Sequence, residues 1–163
     1  MRIPVVFATD ENYIFYTCVA ITSLSRSADP DTEYEVYILT GDEFTDQGLL
    51  NIVEQKYSNI NLKVVKADTK IFKNVVINNS HVTKTTFYRL ILCNLIQAEK
   101  CIYLDSDIIV TEDLQALYSV NLDRDYIAGC RDIWIDMMSE EERENRRKRT
   151  EIPSMQEYVN AGI

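Results

Sequence analysis

Cys101-Ile102-Tyr103-Leu104-Asp105-Ser106-Asp107 is a β-forming apolar run that ends abruptly in two carboxylates. Its shortness and lack of polar alternation predict a buried strand, of the kind found inside parallel sheets. The same form recurs upstream. Residues 3–8 make an apolar run closed by Thr9-Asp10-Glu11-Asn12, residues 34–39 a second closed by Thr40-Gly41-Asp42, and residues 60–65 a third. The segments between them carry helical spacing. Ile14, Cys18, Ile21 and Leu24 make one stripe in a helix over 13–25, which Ala28-Asp29-Pro30-Asp31 breaks. Thr45 can cap a second helix whose stripe includes Leu49, Ile52 and Val53. Residues 68–79 are irregular around Val75-Val76-Ile77, and from Thr83 a third helical pattern runs through Phe87, Leu90, Ile91, Asn94 and Leu95. Downstream, residues 108–110 read as extended, 114–118 as a short helix and 126–130 as another strand.

Strands alternating with helices imply right-handed crossovers and a mostly parallel, Rossmann-like α/β sheet flanked by helices on both faces. Ligands of such sheets bind at the carboxyl ends of the strands. Two acidic turns fall at such ends: Asp10 after the first strand, and Asp105 with Asp107 after the fourth.

The bulk properties narrow the field. A length of 163 residues, 46% of them hydrophobic, suits one globular domain with a single core. A net charge of −9 leaves no basic face for nucleic acid. An acidic chain that handles an anionic ligand must counter the repulsion locally, with a cation or a placed arginine. Cys18, Cys93, Cys101 and Cys130 each lie in or beside an apolar run with no Cys-x-x-Cys spacing, which predicts small buried residues in a reducing compartment. Met1-Arg2 leads straight into a strand pattern, without a charged segment followed by a long apolar one, so a cytoplasmic chain is expected. Residues 139–149 form a dense charge run, acidic first and basic later, the order that suits a solvated helix. The end, Val159-Asn160-Ala161-Gly162-Ile163, reads as the start of another element and predicts a longer natural protein.

Asp-x-Asp alone is a weak signal, and it occurs three times, at 29–31, 105–107 and 123–125. Only Asp105-Ser106-Asp107 directly follows an apolar strand. Two carboxylates at that spacing can both reach a hard divalent cation, which bridges diphosphate oxygens and neutralises charge on a leaving group. Oxygen ligands suit Mn²⁺ or Mg²⁺, whereas zinc would recruit Cys or His. The plain alternative is an exposed acidic turn. A phosphatase of the haloacid-dehalogenase type also places Asp-x-Asp after a strand, but on the first strand and with Thr or Val where this chain has Ile109.

Three further strings share an order and a spacing: Phe7-Ala8-Thr9-Asp10-Glu11-Asn12-Tyr13, Thr85-Thr86-Phe87-Tyr88-Arg89-Leu90, and Tyr103-Leu104-Asp105-Ser106-Asp107-Ile108-Ile109-Val110, followed by Asn160-Ala161-Gly162. Together they resemble glycosyltransferase family 8, which includes bacterial lipopolysaccharide galactosyl- and glucosyltransferases and glycogenin. The resemblance spans essentially the whole chain. It implies a GT-A (nucleotide-diphospho-sugar transferase) fold, with residues 1–163 as the nucleotide-sugar-binding part of a longer catalytic domain. It implies retaining transfer from UDP-glucose or UDP-galactose to a cell-surface glycan or glycolipid acceptor, with Mn²⁺ or Mg²⁺. Ala8, Thr9, Asp10 and Asn12 would line the uridine, with Asp10 at the uracil edge, and Tyr13 would stack on the base. Arg89 would hold the donor sugar in register with the acidic site, although a plain ion pair is equally compatible with an arginine near two aspartates. Asp105 and Asp107 would bind the metal, Asp105 and Ser106 would touch the ribose, Asp132 would lie near sugar or acceptor, and Asn160 and Ala161 would border the transferred sugar. Without the resemblance Asn160-Ala161-Gly162 is only a turn signal, and Tyr13 an aromatic at a helix start.

His81, the single histidine, matches a structural stretch ahead of the central helix. In the family the third metal ligand is a histidine far downstream, as are the residues nearest the reacting carbon. Peripheral membrane contact, where it occurs, uses basic and aromatic C-terminal tails, also downstream. The resemblance therefore implies the leaving-group half of a transferase. The competing expectation is a catalytically silent UDP-sugar-binding module.

Overall fold

A computed structural model of the chain describes residues 1–45, 47–72, 84–122, 125–130, 133 and 137–150. Its centre is the first apolar run. Strand β1 (Arg2–Ala8) pairs in parallel with β2 (Glu33–Thr40) on one side and with β4 (Ile102–Tyr103) on the other, and β3 (Ile60–Lys66) extends the sheet beyond β2. The order is β3-β2-β1-β4, and every pairing is parallel. Three strand ends, at Ala8, Thr40 and Tyr103, therefore open on the same edge.

Alternation along β1 explains how the sheet is covered. Ile3, Val5 and Phe7 face one core with Val36, Ile38, Ile102 and Leu104, against helix α1 (Ile14–Ser27) and helix α2 (Gly48–Lys56). Val6 faces a second core with Tyr37, Leu39, Phe72 and Tyr88, under the 3-10 helices Thr69–Phe72 and Lys84–Ile91. Val5, Val6 and Phe7 are fully buried, which is why this strand reads as a continuous apolar run. β3, at the edge, alternates with the exposed Asn61 and Lys63. The expected parallel α/β sheet with helices on both faces is what the chain forms.

The elements bear out the sequence with several corrections. The α1 stripe of Cys18, Ile21 and Leu24 is buried, with Ile14 packed at its margin. In α2 the buried positions are Leu50 and Val53, while Leu49 and Ile52 are 40% and 61% exposed. Thr45 does not cap this helix: Gln47 takes the N-cap position, and its side chain makes no capping hydrogen bond.

The third helical pattern is realised as a 3-10 helix, Lys84–Ile91, that passes into the short helix α3 (Leu92–Leu95). Three residues per turn set Thr85, Tyr88 and Ile91 on one side, with Tyr88 fully buried, and leave Leu90 73% exposed. Leu90 thus leaves the expected stripe.

The fourth strand holds only Ile102–Tyr103 in the ladder, residues 108–110 make no ladder, and helix α4 (Gln115–Tyr118) follows as expected. The expected strand over 126–130 is absent. Among the described residues no strand lies beside it, and Tyr126 and Ile127 are 98% and 82% exposed. Of the cysteines, Cys18 is buried and Cys101 half-buried, but Cys93 and Cys130 are exposed, because α3 buries none of its residues and Cys130 continues the exposed 126–130 segment. All four are free thiols.

The chain divides into two compact units, Met1–Val120 and Asn121–Ile163. In the second, helix α5 (Glu140–Thr150) is the charge run, with Glu140, Glu141, Glu142, Glu144, Asn145 and Lys148 exposed and Arg143 and Arg146 half-buried. It opens on a capping box in which Ser139 Oγ accepts the Glu142 amide at 3.3 Å and the Ser139 amide donates to Glu142 Oε2 at 2.8 Å. Val75-Val76-Ile77 and His81 lie outside the described residues.

Candidate functional site

At the carboxyl edge of the sheet, within the first unit, a cavity of about 190 Å³ collects residues from three separate stretches. Ala8, Thr9 and Tyr13 come from the end of β1 and the loop after it. Thr85, Thr86 and Arg89 come from the 3-10 helix, and Tyr103, Asp105, Ser106 and Asp107 from the end of β4. Seven expected site residues thus converge: Ala8, Thr9, Tyr13, Arg89, Asp105, Ser106 and Asp107.

The β4 side is fixed to the sheet by two hydrogen bonds. The Leu104 amide donates to the Val6 carbonyl at 2.9 Å, and Ser106 Oγ donates to the Ala8 carbonyl at 3.0 Å. Ser106 is accordingly 7% exposed. On either side of it, Asp105 is half-buried and Asp107 exposed, and both line the cavity wall. Arg89 Nη2 donates to Asp105 Oδ1 at 3.3 Å, and Arg89 Nε donates back to the Thr86 carbonyl at 3.0 Å. The guanidinium carbon also sits 4.7 Å from the centre of the Tyr103 ring.

Electrostatics follow from that placement. Burial pushes the Asp105 carboxyl above the ordinary aspartate range; the Arg89 guanidinium pulls it down, and Asp107 adds to the rise. Burial likewise pushes the Tyr103 hydroxyl up to about 12, so it stays protonated at neutral pH.

On the β1 side the loop is built around Asp10. Its Oδ1 accepts the amides of Asn12 and Tyr13 at 2.9 and 3.1 Å, and its carbonyl accepts the amides of Tyr13 and Ile14. The Thr17 hydroxyl meets Thr9 Oγ1 at 2.8 Å, tying α1 to the end of β1. The carboxylate of Asp10 is thus spent partly on starting the helix, and neither Asp10 nor Asn12 is among the cavity-lining residues. Tyr13, 45% exposed, presents its ring there instead, beside Tyr16 at 5.7 Å. Asp132, Asn160 and Ala161 lie outside the described residues.

Sequence reasoning missed Thr85, Thr86 and Tyr103 as lining residues. A signal for Tyr103 was present, since alternation places it on the sheet face opposite Ile102 and Leu104, toward Arg89. The threonines depend on the 3-10 period, which an α-helical reading hides.

The donor set suits a hard divalent cation. Asp105 and Asp107 offer carboxylate oxygens at one wall, with no thiol or imidazole among the described lining residues. Two carboxylates are part of a coordination shell, and among the described residues no group of three Asp, Glu, His or Cys side chains gathers into a metal site. The cavity also falls below the roughly 300–1,000 Å³ of pockets that enclose a whole ligand.

Residues 4–163 match the family model for Glycosyl transferase family 8. General stress protein A of Bacillus subtilis is 25% identical over 163 residues, which is 98% of this chain and 54% of that protein. Glycosyltransferase GlyE of Streptococcus pneumoniae is 31% identical over 130 residues, 78% of this chain and 31% of that protein. Among solved structures, the galactosyltransferase LgtC in complex with donor and acceptor sugar analogs superposes with a TM-score of 0.82. That likeness, at 25% identity, covers 98% of this chain and 56% of the other. The chain thus spans about half the length of the first relatives it matches, 54% and 46%.

Proposed function

This chain belongs to glycosyltransferase family 8, and from that premise we propose that it is the donor-binding half of a retaining hexosyltransferase. The donor is a UDP-hexose, UDP-glucose or UDP-galactose, and the acceptor a cell-surface glycan or glycolipid of the lipopolysaccharide type. One observation carries the reading: the Arg89–Asp105 ion pair, exposed Asp107 and the Tyr13 ring surround one cavity at the carboxyl ends of β1 and β4. Membership also removes the phosphatase reading of Asp105-Ser106-Asp107.

In this reading Tyr13 stacks on the base, and Ala8 and Thr9 form the floor beneath the nucleoside. Asp10 shapes the loop through Oδ1 and keeps Oδ2 for the uracil edge, with Asn12 at the rim. Arg89 holds the donor hexose and fixes Asp105. Asp105 and Ser106 border the ribose, while Asp105 and Asp107 would hold Mn²⁺ or Mg²⁺. When bound, the cation supplies charge neutralisation on the departing diphosphate. Asp132, Asn160 and Ala161 complete the sugar and acceptor side. Among the described residues no helix is long and apolar enough to cross a membrane. A cytoplasmic enzyme that meets the membrane peripherally is the setting we propose.

Calorimetric titration of UDP, UDP-glucose and UDP-galactose, with and without Mn²⁺, tests this on the parent chain and on Asp107→Ala. Binding should require the metal and fall roughly 10- to 100-fold in the variant, the usual cost of damaging a metal site. Equal, metal-independent binding by both proteins would sink the assignment.

A further inference from the structure

We propose that Tyr103 is a positioning residue whose ring holds the Arg89 guanidinium in register with Asp105. The proposal deepens the donor-site reading above and rests on it for the identity of the ligand. A guanidinium is a plane, with donors around its rim and two bare faces. The rim contacts of Arg89 include Nε to the Thr86 carbonyl at 3.0 Å and Nη2 to Asp105 Oδ1 at 3.3 Å. Hydrogen bonds in the plane resist sliding more than they resist tipping out of it. The guanidinium carbon lies over the Tyr103 ring, 4.7 Å from its centre, and this contact opposes that tipping.

The two partners differ in how firmly they are held. Tyr103 sits in the β4 ladder, paired with Val6 of the central strand. Arg89 sits on a 3-10 helix, whose hydrogen-bond geometry is poorer than that of an α-helix. The ring therefore passes the rigidity of the sheet to a side chain on a softer element. Lysine in place of Arg89 would keep the charge but lose both the fork and the flat face.

The test is calorimetry with Mn²⁺ on the 163-residue chain, using UDP-glucose and UDP as probes. The variants are Tyr103→Leu, Tyr103→Phe, Arg89→Lys, Arg89→Ala and the double variant Tyr103→Leu/Arg89→Ala. Tyr103→Leu should lose roughly 3- to 30-fold in UDP-glucose affinity, the range of a partly desolvated cation–π contact, while UDP affinity changes much less. Tyr103→Phe should recover that loss, Arg89→Lys should mimic it, and the double variant should bind as weakly as Arg89→Ala alone. Equal losses for UDP and UDP-glucose would make Tyr103 a filler of the core and overturn the proposal, as would losses that add in the double variant. Should the parent chain bind no UDP-sugar, the donor reading fails, and urea unfolding of the same cycle decides the clamp. Non-additive destabilisation supports it, and additive destabilisation overturns it.

Discussion

Ser106 shows how much a single residue sets at this site. The Ser106 hydroxyl donates to the Ala8 carbonyl, so the middle of the acidic turn is pinned to β1 while the carboxylates on either side line the cavity. Its proton is committed there, which in the proposed reading leaves its lone pairs for a ribose hydroxyl. Ser106→Ala should lower stability by about 1 kcal/mol, the net worth of one buried hydrogen bond, read as a shift in the urea midpoint without change in slope. An unchanged midpoint would mean that the Leu104–Val6 bond alone holds the turn. At this scale the sequence was only partly legible. Which Asp-x-Asp mattered followed from its place after a strand, but the unequal burial of Asp105 and Asp107 did not, because it depends on a bond to a residue 98 positions away.

Among the elements, the joint between β2 and α4 rests on Asp113. Its carboxylate accepts the Asp29 amide at 2.9 Å, the Tyr34 hydroxyl at 3.1 Å and the Gln115 amide at 2.6 Å, and Tyr34 Oη accepts the Leu114 amide in turn. Burial raises the Asp113 pKa, but these donors and the Thr32 hydroxyl together outweigh it and hold the carboxyl below the ordinary aspartate range. A depressed folded pKa stabilises the fold at pH values above the unfolded one and loses that contribution as pH falls through the folded one. Asp113→Asn should therefore cost about 1–2 kcal/mol at pH 7. Urea melts across pH should show the gap to the parent chain closing once the pH drops below the ~4 of an ordinary aspartate; a gap that widens in acid would contradict the sign. The elements that were legible owe it to periods that the core enforces, as in β1, α1 and β2. Where the period itself changed, the reading slipped: Leu90 fits an α-helical stripe and is exposed by a 3-10 turn. Tyr126 and Ile127 have strand composition, yet composition forms no ladder without a neighbouring strand.

For the whole molecule, the governing fact is an asymmetry of chemistry. A net charge of −9 repels a diphosphate, and the described cavity sets Arg89 against it, beside the two carboxylates proposed to hold a cation. In the proposed reading, the residues assembled there act on the donor and the group that leaves. Transfer also needs an acceptor hydroxyl aligned on the sugar and a route for its proton, and positioned groups of that kind contribute roughly 10²- to 10⁴-fold to a rate. This chain spans about half of its relatives, 54% and 46% of the first two, so those groups are expected in the part it does not match. The 163-residue chain should therefore bind UDP-hexose with Mn²⁺ yet release UDP at least about 100-fold more slowly than a typical enzyme's ~10 s⁻¹, with or without glycan acceptors. Release of UDP from UDP-glucose and UDP-galactose, followed by a coupled assay at saturating donor, measures this directly. Turnover near the ordinary enzymatic range would place the acceptor machinery within these 163 residues and would turn attention to Asp132, Asn160 and Ala161. Metal-dependent binding with negligible release is the outcome we expect, because stabilising a leaving group supplies only part of the acceleration until an acceptor hydroxyl is held opposite it.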